Sequence, residues 1–126
     1  MKIVLIGSGN VASVFGRLMK SKGHELVQVI SRNPGHAQVL AEELGCAWSG
    51  SSDTVNRDAD IYLVAVSDSG LYELNKSFYL RNKLILHTAG SVPKDVLKEI
   101  STNYGVLYPL QSLRREMAYT GDIPLL

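Results

Sequence analysis

Three short groups of residues in this chain have the types and spacing to hold a nucleotide. The first is Gly7-Ser8-Gly9-Asn10-Val11-Ala12, a match to G-x-G-x-x-[G/A]. In such a loop Gly7 permits a tight turn and Gly9 lets the backbone approach a pyrophosphate closely. Ala12 is small enough for a helix to pack against a strand. Asn10 adds a possible side-chain contact. The pattern alone also fits a turn that binds nothing. Its position after an apolar strand and at the start of a helix favours the phosphate-binding reading, because the helix N-terminus then presents N–H groups to the anion.

The second group is Ser31-Arg32-Asn33, just after the second strand. A fold selective for NAD usually has Asp or Glu there, bonding the ribose 2′-hydroxyl. This chain has a hydroxyl, a guanidinium and an amide instead. Arg32 can face a 2′-phosphate or stack on adenine, while Ser31 and Asn33 donate hydrogen bonds. A carboxylate would repel the 2′-phosphate, so its absence points the same way. The expectation is NADP, with NADPH preferred over NADH. The alternative for Arg32 is a solvated loop arginine. The missing acid also argues against an S-adenosylmethionine methyltransferase.

The third group lies in later loops. Val66 ends the strand IYLVAV and Ser67 and Asp68 follow it, where the backbone should pass the nicotinamide-side ribose and the pyrophosphate. Ser67 and Asp68 serve equally as a helix N-cap. His87 and Thr88 follow the next strand, near the nicotinamide end of the crevice. His87 is the candidate catalytic residue, donating to a carbonyl or relaying a proton. The competing reading is a histidine that packs at the strand end and bonds backbone. Tyr108 and Gln111 offer polar tips to a substrate or to a domain interface. Cys46, the single cysteine, reads as a core residue. His24 and His36 have no partners at metal-ligand spacing, so no metal site is expected.

These groups need elements to position them. Ile3–Ile6 is a continuous apolar run, as in a strand buried on both faces. Val11, Val14, Phe15, Leu18 and Met19 then recur at helical spacing, with Lys20, Lys22 and Gly23 as the stop. Leu26–Ile30 reads as the second strand. Asn33-Pro34 starts a helix with Ala37, Leu40, Ala41 and Leu44 on one face, closed by Gly45. Further strands are expected at Cys46–Trp48, Ile61–Val66, Leu84–His87 and Val106–Tyr108, and an extra one at Ile123–Leu126. Weaker helical segments fall at Ser52–Arg57 and Ser69–Ser77, and a helix starts at Ser91 with Val92, Val96, Leu97 and Ile100 on one side. This alternation predicts an α/β fold: a Rossmann-type, doubly wound, mainly parallel sheet in three layers, of order 3-2-1-4-5-6.

Bulk properties limit the alternatives. At 126 residues, 45% hydrophobic and 20% charged, the chain suits one globular domain. Thirteen basic and 12 acidic residues leave a net charge of +1, no electrostatic reason to expect nucleic acid or an anionic membrane as partner. One cysteine excludes an intramolecular disulfide and fits a reducing compartment. The opening apolar run is too short for a signal peptide, and no run reaches membrane-spanning length. A cytoplasmic location is the expectation. The terminal GDIPLL has no cap or polar tail, which suggests a domain cut from a longer protein.

With GSGNVA, SRN, HTAGSVP and YPLQSL in view, the whole chain resembles the N-terminal Rossmann-like domain of a bacterial group related to the deazaflavin-dependent NADP oxidoreductases. It is more distantly similar to pyrroline-carboxylate reductases and β-hydroxyacid dehydrogenases. The resemblance implies that Gly7, Gly9, Asn10 and Val11 form the pyrophosphate loop, and Ser31 and Arg32 the adenosine-phosphate site. It also implies a following helical domain, absent from this chain, that completes the active site and often mediates dimerisation. It carries over no catalytic residue. The leading reading is therefore the cofactor domain of an oxidoreductase acting on an unidentified small substrate, not fully active alone. A non-catalytic NADP(H)-binding or redox-sensing module is the alternative, and a structural domain with an empty crevice is the third.

Overall fold

The computed structural model describes residues 1–51, 54–66, 79–88 and 94–106. Within them the strands are β1 (Lys2–Ile6), β2 (Glu25–Ile30), β3 (Ala47–Ser49), β4 (Ile61–Val64), β5 (Arg81–His87) and β6 (Ser101–Val106). The helices are α1 (Asn10–Ser21) and α2 (Pro34–Leu44), with a 3-10 helix at Lys94–Leu97. The strands form one sheet of order β3-β2-β1-β4-β5-β6, and every pairing is parallel. This is the expected Rossmann-type α/β fold.

Alternation along the strands sends side chains to two cores. Ile3 and Leu5 of β1, with Ile61 and Leu63 of β4, face a core completed by Phe15 and Met19 of α1 and by Ala37, Leu40, Ala41 and Leu44 of α2. Val4, Ile6, Tyr62, Val64 and Ile85 face the other core, with Val55, Leu80, Val96, Leu97 and Ile100. Burying each large aliphatic or aromatic side chain contributes about 1.5–3 kcal/mol. These two layers therefore hold the strand ends in place before any ligand is considered.

Local signals behave as their chemistry dictates. Asn33 caps α2, its Oδ1 accepting from the His36 N–H at 3.1 Å, and Pro34 takes the first helical position. Gly45 ends α2 in the left-handed region, at φ +73°. The buried stripe of α1 differs from expectation by one position. Ala12, Phe15, Gly16 and Met19 are buried, while Val11 is 41% exposed. The reason is close approach. A Cβ on Gly16 would lie 2.9 Å from Leu44 Cδ1 and 3.1 Å from Leu5 Cδ2. The two smallest residues therefore face the sheet, and Val11 is turned away from it.

Strand limits also shift. β3 begins one residue later than expected, β4 ends at Val64, and β5 extends back to Arg81. β6 is Ser101–Val106; the expected strand meets it at Val106, and Leu107 and Tyr108 lie outside the described residues. Its sequence STNYGV lacks an apolar run because Thr102 and Asn103 are exposed. Ser101 is instead fully buried, and its Oγ donates to the Lys83 carbonyl at 2.5 Å where the β5–β6 register shifts. The expected helix starting at Ser91 is, among the described residues, only the 3-10 turn Lys94–Leu97. In the segment Ser52–Arg57, Ser52 and Asp53 lie outside the described residues. So do the expected helix Ser69–Ser77 and the extra strand Ile123–Leu126. No described helix is long and apolar enough to cross a membrane.

Candidate cofactor site

The strand order reverses at β1, which has β2 on one side and β4 on the other. A crevice opens at such a point, outside the carboxyl ends of the strands. The loop Gly7-Ser8-Gly9 lies there, between β1 and α1.

Gly7 is held from both sides. Its N–H donates to the Ile30 carbonyl of β2 at 2.7 Å. On the other side a Cβ on Gly7 would lie 2.2 Å from the Ala65 carbonyl oxygen and 3.3 Å from Val66 Cγ1. Its φ of +123° is a value that L side chains rarely adopt. The turn therefore requires glycine on two counts. Gly9 is a glycine for a different reason. It has ordinary extended backbone, and a Cβ there would meet no atom within 4 Å. Nothing within the fold demands glycine at that position. The bare backbone there leaves an open cradle beside the turn.

The start of α1 completes the cradle. Its first intrahelical bond runs from the Ser13 N–H to the Gly9 carbonyl at 2.9 Å. The N–H groups of Asn10, Val11 and Ala12 precede that bond and have no acceptor within the helix. The first turns of α1 and α2 contain no acidic residue. Both N-termini lie at the carboxyl edge of the sheet, so their dipoles favour an anion there without a competing carboxylate.

The second group is joined to the first. Ser31 Oγ lies 2.6 Å from Ser8 Oγ and accepts from the Asn33 N–H at 3.1 Å. The bond between the two hydroxyls uses one proton and leaves the other for an outside acceptor. Arg32 is exposed beside them. The structure thus brings Gly7, Ser8, Gly9, Asn10, Val11, Ser31, Arg32 and Asn33 to one edge of the sheet. Asn33 is mainly occupied as the α2 cap.

The later candidates divide. Val66 packs beside Gly7 and against the second core. Thr88 donates to the Val64 carbonyl from its N–H at 3.2 Å and from its hydroxyl at 3.4 Å. His87 is fully buried at the end of β5, in register with Val64 and Val106. Ser67, Asp68, Tyr108 and Gln111 lie outside the described residues. Cys46 packs against the first core, and burial pushes its thiol pKa up. Among the described residues no group of three or more His, Cys, Asp or Glu could hold a metal.

One feature was not expected from the sequence. Gln28, in the middle of β2, is buried. Its Nε2 donates to the Thr54 carbonyl at 3.0 Å, and its Oε1 accepts from the Asn56 N–H at 2.7 Å. The only signal for it is a polar residue interrupting the apolar run ELVQVI.

Comparison with known proteins agrees with this fold. Residues 2–90 match the family model for NADP oxidoreductase, coenzyme F420-dependent. The "putative NADP oxidoreductase" of Bacteroides fragilis is 36% identical, with a TM-score of 0.79 over 90% of this chain and 45% of that one. The 1-pyrroline-5-carboxylate reductase of Streptococcus pyogenes shares the fold at 20% identity, with a TM-score of 0.65 over 80% of this chain and 38% of that one. Arogenate dehydrogenase of Synechocystis does so at 16% identity, with a TM-score of 0.64 over 83% and 40%. The chain therefore spans less than half the length of these structures. No curated protein matches it in sequence. With its strand–glycine turn–helix unit and a family match over most of its length, the chain belongs to the coenzyme F420-dependent NADP oxidoreductase family.

Proposed function

We propose that this chain is the NADP(H)-holding domain of an oxidoreductase, and that it prefers NADPH to NADH. In this reading the N–H groups at the start of α1 bind the pyrophosphate over Gly9. Ser8, Ser31 and Arg32 meet the 2′-phosphate of the adenosine ribose. The observation that carries the reading is the Ser8–Ser31 hydroxyl pair, 2.6 Å apart beside Arg32, with no carboxylate in Ser31-Arg32-Asn33. Such a set donates to a phosphate and lacks the carboxylate that usually accepts from a free 2′-hydroxyl.

The bound cofactor supplies the hydride, and the chain's own residues bind and orient it. Thr88 and Val66 line the path from the pyrophosphate toward the nicotinamide. His87, fully buried at the end of β5, is proposed to hold the strand end rather than to contact the hydride. A site for the small substrate and a homodimer contact are proposed to involve a second domain, since the chain spans less than half the length of its relatives. The matching family is described as coenzyme F420-dependent, and no contact with that coenzyme is assigned to these residues.

The test is titration of the chain with NADPH and with NADH, following fluorescence of Trp48, its one tryptophan. The expected result is saturable binding, tighter for NADPH by about tenfold or more, the effect of one charged hydrogen bond. Equal affinities would overturn the NADP preference, and no binding of either would overturn the cofactor-domain reading.

A further inference from the structure

We infer that Gln28 is a positioning residue for the adenosine-phosphate end of the cofactor site, acting through Thr54 and Ser49 on Ser31. This rests on the NADP(H) reading above. Gln28 is one of three buried polar residues among the described ones, with His87 and Ser101. It lies in the one strand whose end carries Ser31, between β1 and β3. An amide in that position must satisfy both its ends or destabilise the sheet. It does so by clamping the segment that follows β3, at the Thr54 carbonyl and the Asn56 N–H. Tyr62 holds the same segment from β4, its hydroxyl donating to the Asn56 carbonyl at 2.5 Å.

From the clamp a continuous set of hydrogen bonds runs to the cofactor loops. The Thr54 hydroxyl donates to the Ser51 carbonyl at 2.9 Å and is bonded to the Ser49 hydroxyl. Ser49 Oγ accepts from the Ser51 N–H at 3.1 Å. The Ser49 carbonyl accepts from the Ser31 N–H at 3.0 Å. Ser31 Oγ then meets Ser8 Oγ. The path thus joins the ends of β3, β2 and β1, and only the Ser31 and Ser8 end faces the proposed phosphate. Loss of the clamp loosens Thr54 against Ser49, which stays paired with Ile30, and so loosens the Ser31 backbone without touching the Gly9 cradle. It should therefore weaken recognition of the 2′-phosphate and spare the pyrophosphate.

The experiment compares three variants of the full chain with the wild type, in NADPH and NADH titrations. Gln28→Met keeps the length of the side chain and removes both bonds. Thr54→Val breaks the middle of the path at an exposed residue and leaves the Gln28 bonds intact. Ser101→Ala removes a buried hydrogen bond on the far side of the sheet, and controls for lost stability alone. Gln28→Met and Thr54→Val should each lower NADPH affinity about fivefold, the effect of one hydrogen bond, with NADH affinity within about twofold. Ser101→Ala should leave the NADPH/NADH ratio as in the wild type.

If Gln28→Met fails to fold, Thr54→Val decides. A wild type that prefers NADPH, with Thr54→Val or a folded Gln28→Met keeping its ratio, would overturn the inference alone. Proportional loss of both cofactors would do the same, since it marks a merely structural role. A wild type with no preference for NADPH would overturn the NADP reading itself, and the inference with it.

Discussion

Ser8 and Ser31 are separated by 23 positions in the chain and place their hydroxyl oxygens 2.6 Å apart. One follows β1 and the other follows β2, so the pair is made by the parallel pairing of those strands, with Ile6 opposite Ile30. If the two hydroxyls act as one donor set, they are coupled in binding NADPH. Ser8→Ala, Ser31→Ala and the double variant should give a coupling of about 0.5–1.5 kcal/mol in NADPH binding, the size of one net hydrogen bond. The cycle should close near zero for NADH. Strict additivity in NADPH binding would separate the two residues.

Arg32 carries the charge at this edge. Arg32→Ala should weaken NADPH by roughly 10- to 100-fold, since a hydrogen bond to a charged group contributes about 1.5–3 kcal/mol. NADH affinity should change little. The NADPH loss should shrink as salt is raised, because the guanidinium is exposed and screened. Equal losses for both cofactors would place Arg32 on the shared part of the nucleotide.

The two loop glycines should respond in opposite ways to the same change. Gly7→Ala forces a Cβ against the Ala65 carbonyl at 2.2 Å with φ at +123°. It should destabilise the fold by about 2–5 kcal/mol, overpacking added to backbone strain. Gly9→Ala meets no atom within 4 Å. Its stability should stay within about 1 kcal/mol of the wild type, while cofactor binding falls about tenfold or more as the methyl fills the cradle. Denaturant titration and cofactor titration of both variants check this. A Gly9→Ala variant that binds normally would remove the pyrophosphate from this loop.

His24 makes folding sensitive to pH. Burial and the nearby amino terminus lower its pKa from the ordinary 6.5, and Nδ1 lies 3.2 Å from the Met1 nitrogen. The unfolded chain therefore binds a proton more readily than the folded one. The contribution of His24 is present above about pH 6.5 and is lost as the pH falls below it. Glu43 has the same sign at lower pH, since its hydrogen bond with Arg17 lowers its carboxyl pKa. Thermal unfolding from pH 5 to 7.5 should show Tm rising with pH, more steeply for wild type than for His24→Asn. Parallel curves would exclude His24 as the source.

What was legible in the sequence was local. Asn33-Pro34 and Gly45 define the ends of α2 by backbone chemistry that needs no tertiary partner. The apolar runs at Ile3–Ile6 and Ile61–Val64 identify buried parallel strands, because both faces must be covered. Strand and helix alternation with right-handed crossovers then leaves a few topologies, of which the order 3-2-1-4-5-6 fits two mononucleotide halves.

Tertiary structure decided what depends on distance. β6 begins at Ser101, ahead of the apolar Val106, although Ser101, Thr102 and Asn103 look like a loop; the hydrogen bond to the Lys83 carbonyl makes Ser101 a buried strand residue. The buried stripe of α1 turned on Gly16 meeting Leu44, a contact between two helices that no helical period reveals. Gln28 reads as an interruption in a strand until Thr54 and Asn56 fold against it. The sequence by itself determined which residues could meet a dinucleotide, since turn chemistry and side-chain charge are properties of the residues. Only the packing of β1 between β2 and β4 decided that Ser8 and Ser31 meet, because a hydrogen bond between distant residues exists only once the backbone has brought them together.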